Sequence, residues 1–193
     1  VVAERSRSRG ASGVVYAGRW SNSNTPVAVK VLQLFGVTAE EMRTGARSIV
    51  NELAVLNAVR HPSVVHVYGV MVTNDPSTPG CAAVRIVMEL AECSLHQLLQ
   101  GLRRDARKSN SGSVATSSGA TSSSDVVFEL NLRARLRIAE SIASGLAHLH
   151  SARQPVVHRD LKPGNILIRR RDASVEDVSA CIADFGAAVV NKT

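Results

Sequence analysis

A chain of 193 residues that is 45% hydrophobic and 20% charged can bury a real core and suits one or two globular units. Aromatics supply 3% of it, so that core must be built from Val, Leu, Ile and Ala. The formal net charge of +7 raises nucleic acid as a partner, but the basic clusters at Arg103-Arg104, Arg107-Lys108 and Arg169-Arg170-Arg171 have no interleaved aromatics. They read as solvated surface, compatible with phosphate-rich ligands, and no nucleic-acid partner is expected.

The three cysteines, Cys81, Cys93 and Cys181, are odd in number and irregularly spaced. That argues against a disulfide framework and against zinc, and for a reducing, intracellular and cytoplasmic setting. No apolar run is long enough to span a bilayer, and no secretory signal pattern is present. The opening Val-Val-Ala leads us to expect a piece cut from a longer protein.

In chain order, residues 1–9 read as a basic, Ser-rich tail. Ser8-Arg9-Gly10-Ala11-Ser12-Gly13-Val14-Val15 follows. Small residues there let backbone approach an anion, and the β-branched pair resumes a strand. Residues 26–32 form a strand with Val27, Val29 and Val31 on one face and Ala28, Lys30 and Leu32 on the other. A lone strand Lys is usually solvated, yet Lys30 shares its face with two apolar residues. Residues 38–59 read as helix, broken near Gly45, with Ile49, Glu52, Leu53 and Leu56 at helical spacing. Glu52 either lies solvated at the edge of that stripe or is buried and requires a cation. Arg60-His61-Pro62-Ser63 reads as a turn, with His61 a turn residue.

Residues 64–72 and 82–90 read as strands joined by the loop signal Asn74-Asp75-Pro76-Ser77-Thr78-Pro79-Gly80. Residues 94–102 read as a short helix, with Cys93 a half-buried small residue before it. Residues 109–124 are almost all Ser, Thr, Gly and Ala, which cannot repay the entropy of ordering, so a disordered insert is expected over about 105–125. Residues 132–151 are the longest clean helix, with Leu136, Ala139, Ala143, Leu146 and Leu149 as its apolar stripe. Then comes the densest polar segment, Val156-Val157-His158-Arg159-Asp160-Leu161-Lys162-Pro163-Gly164-Asn165-Ile166-Leu167. Two apolar runs bracket an acid, bases and an amide, the pattern of strand, tight loop and strand. Residues 169–179 read as a long polar turn, and a short strand at 180–183 delivers Asp184-Phe185-Gly186.

Four of these stretches stand in the order found in eukaryotic protein kinases, and the chain resembles that family. Ser8 to Val15 is similar to the Gly-rich loop, with Ser8 in the place of its first Gly. Val27-Ala28-Val29-Lys30 is similar to the strand-three motif, His158 to Asn165 to the catalytic loop, and Asp184-Phe185-Gly186 to the D-F-G motif. Lys162, two residues after Asp160, resembles the Ser/Thr kinases. Arg60-His61-Pro62-Ser63-Val64-Val65 and Asp184-Phe185-Gly186-Ala187-Ala188 resemble the tyrosine-kinase-like, Raf-like group.

The resemblance implies an α+β, bilobal fold. Residues 1–90 would form an antiparallel N-lobe sheet with helix C, and residues 91–193 an incomplete, mainly helical C-lobe. It also implies the site. Asp160 would orient a Ser/Thr hydroxyl as base, and Lys162 would contact the γ-phosphate. Lys30, held by Glu52, would fix the α- and β-phosphates. Gly10, Gly13, Val15, Ala28 and Leu167 would enclose ATP, with Met88 as gatekeeper and the Glu89 and Ala91 backbone at the adenine. Asn165 and Asp184 would hold Mg²⁺. His158 and Phe185 would support the site from the core, and Arg159 would meet a phosphorylated activation loop. The implied function is ATP-dependent transfer to Ser or Thr of a protein substrate. The competing reading is a weak or inactive pseudokinase that binds nucleotide as a scaffold. With seven residues after Gly186, the activation segment and the rest of the helical lobe have no counterpart in this sequence, so the chain is expected to bind ATP weakly and to turn over little.

Overall fold

The computed structural model describes residues 2–10, 13–21, 23–34, 40, 47, 49–50, 52–56, 59–74, 82–110, 130–170 and 178–191. Five strands, β1 (Val2–Gly10), β2 (Gly13–Arg19), β3 (Pro26–Leu34), β4 (Val67–Asn74) and β5 (Ala82–Glu89), form one antiparallel sheet in the order β1-β2-β3-β5-β4. A helical stretch, described at 49–50 and 52–56, packs Ile49, Glu52, Val55 and Leu56 inward. Beyond β5 come the short β6 (Cys93–Ser94), helix α1 (Leu95–Asn110) and helix α2 (Leu132–Ser151). Two small antiparallel sheets follow: β7 (Val156–Val157) with β10 (Val189–Val190), and β6 with β8 (Ile166–Arg170) and β9 (Val178–Ile182). The architecture is the α+β, two-lobed one the resemblance implied. Among the described residues no helix is long and apolar enough to cross a membrane.

Strand β3 sorts its residues as the alternation requires. Val27 and Val29 join Val87 in a small cluster on the outer face, roofed by Trp20 and Val31. Ala28 and the half-buried Leu32 belong to the main core with Ile86 and Met88. That core continues without a break through Val64, Ile182, Leu149 and Phe185, so one apolar mass spans both lobes. Its largest fully buried side chain is Phe185, followed by Ile and Leu, as an aromatic-poor chain dictates. The lobes are also stitched by backbone. Val65 N–H donates to Ile182 O and Ile182 N–H to Ser63 O, each at 2.9 Å, beside a parallel bridge between Val64 and Ile182.

Helix ends follow from local chemistry. At α1, Ser94 and Gln97 make a reciprocal capping box: Ser94 N–H donates to Gln97 Oε1 at 2.8 Å, and Gln97 N–H to Ser94 Oγ at 3.2 Å. At α2, Asn131 Oδ1 accepts from Ala134 N–H at 2.8 Å. Gly13, at φ 118°, begins β2 where a Cβ would lie 2.5 Å from Val31 O, so only glycine fits.

Several sequence expectations need correction. Residues 2–10 are not a tail but an edge strand paired with β2; its polar Arg/Ser alternation carries no apolar period and so hides it in the sequence. The strand placed at 64–72 starts at Val67 and runs to Asn74, since Ser63 and Val65 bond to β9 instead. Helix α1 continues to Asn110, into the span expected to be disordered; residues 111–129 lie outside the described residues. The long turn at 169–179 is shorter, because β8 takes in Arg169 and Arg170 and β9 begins at Val178. The apolar stripe of α2 also differs: Leu136, Ala139 and Ala143 are exposed, and Ala134, Ile138, Gly145 and Leu149 are buried. Packing of α2 on β9 selects the face carrying the small Ala134 and Gly145, which let the helix approach closely.

Gly145 shows how close that approach is. A Cβ there would stand 2.8 Å from Ser63 O and 3.0 Å from Ile182 Cδ1. Gly→Ala in an ordinary helix interior stabilises by about 0.5–1 kcal/mol. Gly145→Ala is expected to reverse the sign and cost about 1–3 kcal/mol, through overpacking against backbone that is itself hydrogen-bonded. Denaturant unfolding of the two chains checks this, and an unchanged or raised midpoint would refute the close contact.

Candidate active site

Three elements converge on one ammonium group. Strand β3 turns Lys30 to the core side of the sheet, where it is 6% exposed. Its Nζ donates to Glu52 Oε1 at 2.9 Å and Oε2 at 3.2 Å, and to Asp184 Oδ1 at 2.8 Å. Glu52, 3% exposed, is thus buried with a cation and not solvated at the stripe's edge. Burial pulls the Lys30 pKa down, but the fields of Glu52 and then Asp184 outweigh it and the net shift is upward from 10.5.

The polar loop after β7 builds the opposite wall. Asp160 accepts three hydrogen bonds from two donors: from Lys162 Nζ on Oδ2 at 2.6 Å, and from Asn165 Nδ2 on Oδ2 at 3.0 Å and on the backbone O at 2.8 Å. The bond from Lys162 is the main cause that holds the Asp160 carboxyl below its usual 3.8, with Asn165 adding to it. His158 is buried beneath the loop, its Nε2 3.1 Å from Ala183 O and its ring 4.9 Å from that of Phe185. Those contacts tie the loop to the segment carrying Asp184. Asn165 O accepts from Ala183 N–H at 2.9 Å and reinforces the tie. Arg159 donates from Nε to Ala187 O at 2.7 Å. Arg159 and Asp184 both adopt left-handed backbone, φ 62° and 65°, strained for residues with a Cβ and held by these bonds.

Between the walls lies a cleft of about 500 Å³. Gly13 and Val15 come from β2, and Ala28 and Lys30 from β3. Met88, Glu89, Leu90 and Ala91 line the connection between the lobes, and Lys162, Asn165, Leu167 and Asp184 the far side. Nearly every residue singled out from the sequence borders this one space. Gly10 stands across from Gly13 at the end of the β1–β2 hairpin. Asp160 is not on the cleft wall and instead bonds two residues that are, Lys162 and Asn165. The sequence reading missed Cys93, Ser94, His96 and Gln97, which also line the cleft; only the capping box of α1 could have signalled that corner. It also missed that the Glu89 carboxylate is committed to His66 N–H at 2.9 Å and to Arg169 Nη1 at 2.8 Å.

Among the described residues no group of three or more His, Cys, Asp and Glu could hold a metal ion by itself. Asp184 and Asn165 offer two oxygen donors at one end of the cleft. The Asn165 nitrogen is taken by Asp160, which leaves the amide oxygen as the atom available to a cation.

A family model described as the protein kinase domain matches residues 5–193. The chain is similar to the serine/threonine-protein kinase CTR1 of Arabidopsis thaliana, 31% identical over 92% of this chain and 17% of that protein. It is similar to the probable serine/threonine-protein kinase roco6 of Dictyostelium discoideum, 31% identical over 92% of this chain and 7% of that protein. The MDIS1-interacting receptor like kinase 1 of Arabidopsis thaliana is 33% identical over 93% of this chain and 14% of its own length. The chain therefore spans less than a fifth of each of these relatives.

Proposed function

This chain belongs to the protein kinase family, a family that uses ATP and Mg²⁺, and on that premise we propose that it carries the nucleotide site of a Ser/Thr kinase that phosphorylates protein substrates. The observation that carries the reading is Lys30, bonded to both Glu52 and Asp184 at the wall of a cleft of about 500 Å³. A buried ammonium shared by two carboxylates is expensive to build. It repays that cost where a polyanion must be held beside a cation.

The chemistry of each residue supports a division of labour. Lys30, fixed by Glu52, would bond phosphate oxygens in the cleft. Asp184 and Asn165 would hold Mg²⁺, a hard cation that takes oxygen ligands and fills its remaining positions from phosphate and water. Ala28, Val15 and Leu167 offer apolar surface for a flat base, with Met88 at the back and the backbone of Glu89 and Ala91 at its edge. Lys162 reaches the cleft from the far wall. When bound, Mg-ATP supplies the transferable phosphoryl group and the charge neutralisation that eases its transfer. Asp160 stands beside Lys162 to accept a hydrogen bond from a Ser or Thr hydroxyl and aim its oxygen along the line of transfer. The Raf-like subgroup is supported by the turn at 60–65 and by Asp184 to Ala188.

Titration of the chain with Mg-ATP, followed by thermal shift and calorimetry, tests the reading. Saturable binding that needs Mg²⁺ is expected, and Asp184→Ala is expected to weaken it at least about tenfold, since that change removes a metal oxygen and a Lys30 partner together. Binding that ignores both Mg²⁺ and Asp184 would end it. Binding without any transfer to protein Ser or Thr would favour a nucleotide-binding scaffold.

A further inference from the structure

The crossing between the lobes, residues 89–92, starts at Glu89 as β5 ends and finishes at Glu92 as β6 begins. Each end carries a carboxylate, and each carboxylate is taken by one of two consecutive arginines of β8. Arg169 Nη1 donates to Glu89 Oε2 at 2.8 Å. Arg170 Nε donates to both oxygens of Glu92, at 2.8 and 2.7 Å. Successive strand residues point to opposite faces, so adjacent positions can reach opposite ends of the crossing.

The first pair is the more deeply set. Arg169 and Glu89 side chains are 25% and 15% exposed. Glu89 uses its other oxygen on His66 N–H, and Arg169 Nη2 also donates to Pro62 O. Strand β8, the end of β5 and the 62–66 segment are joined at one point. Cys181 packs there too, fully buried, its thiol pushed up to about 12 chiefly by burial. Among the described residues the buried Arg169 Nε has no hydrogen-bond partner, so the guanidinium is held through its two Nη atoms. All four residues of the crossing, Glu89 to Glu92, line the cleft.

We infer that Arg169 and Arg170 are positioning residues for the nucleotide: by clamping Glu89 and Glu92 they fix the polar edge that the crossing presents to the cleft. The inference rests on the nucleotide-binding reading. Neither arginine borders the cleft, so their effect falls on affinity and not on the transfer step.

The test uses the full chain with Arg169→Gln and Arg170→Gln, singly and together, and Arg169→Lys as the conservative change. The probes are Mg-ADP titration and amide hydrogen exchange across residues 89–93 without nucleotide. The double variant is expected to weaken Mg-ADP about tenfold and to speed exchange at 90–92. Where transfer is measured, KM for ATP rises while kcat stays within about twofold. Arg169→Lys keeps the charge and restores part of the affinity, which loss of folding alone would not allow. Unchanged exchange across the crossing overturns the clamp whether or not nucleotide binds. An unchanged Mg-ADP affinity in variants of a chain that binds it overturns the positioning role. If the unsubstituted chain binds no Mg-ADP, the nucleotide reading fails, and exchange still decides the clamp. Should Arg169→Gln not fold, Arg170→Gln and Arg169→Lys carry the same measurements.

Discussion

Lys30→Met is expected to lower the stability of the chain by about 3 kcal/mol and to remove Mg-ATP binding with it. The ion pair it breaks is almost dry: the side chains of Lys30 and Glu52 are 7% and 5% exposed. Removing one partner of such a pair leaves an uncompensated buried charge, which costs about 3–5 kcal/mol. We take the lower end because Asp184, 23% exposed, can turn to water. For a chain of this size the loss lowers Tm by roughly 6–12 °C. The diagnostic step is the double change Lys30→Met with Glu52→Met, which removes the orphaned carboxylate. It should regain most of the stability, since apolar residues of similar volume often replace a buried ion pair without cost. It should not regain nucleotide binding. Urea midpoints for the three chains decide the matter, and a Lys30→Met midpoint equal to the parent would show that the pair is not buried as described.

The pH dependence of this contribution has a definite sign. Lys30 has its pKa raised from 10.5 in the folded chain, so the fold holds that proton more tightly than the unfolded chain does. Its stabilisation is fully present below 10.5 and is lost only as pH climbs through the higher folded value. Between about pH 6 and about pH 9, the Lys30 contribution should therefore be flat.

Much of this site was legible because its chemistry is local in sequence. His158 to Asn165 occupies one loop, and strand alternation alone placed Lys30 on an apolar face. The helical stripe exposed Glu52 as an anomaly, and the resemblance joined the two anomalies; in the structure they are 2.9 Å apart. What escaped were features created by tertiary contact. Strand β1 is held by pairing with β2 and carries no apolar period. The face α2 buries was set by Ser63 and Ile182 against Gly145, not by the stripe with the most leucine. The Glu89–Arg169 pair spans 80 residues and has no signature in either segment. Val189–Val190 became a strand only because Val156–Val157 was there to pair with it.

Asp160→Asn should separate binding from transfer most sharply. The substitution keeps the shape and the hydrogen bonds to the Asp160 backbone, and Asp160 is not on the cleft wall, so Mg-ATP affinity should stay within about twofold. Turnover on a Ser- or Thr-bearing protein is expected to fall about 10²- to 10⁴-fold, the range carried by a general base. An amide still accepts a hydrogen bond, but it cannot take up the developing proton and no longer balances Lys162, 2.6 Å away. The pH profile makes the assignment stricter. Lys162 first, then Asn165, holds the Asp160 carboxyl below 3.8, so the carboxylate is present above that value and lost only as pH falls beneath it. The parent's turnover should therefore show no limb from Asp160 between about pH 5 and about pH 8. The residual rate of Asp160→Asn should be equally flat there, because the group that changed does not titrate in that window. An acid limb near pH 6 in the parent that vanishes in Asp160→Asn would mean a carboxyl pushed up by burial, not one held down by Lys162, and would require a different base.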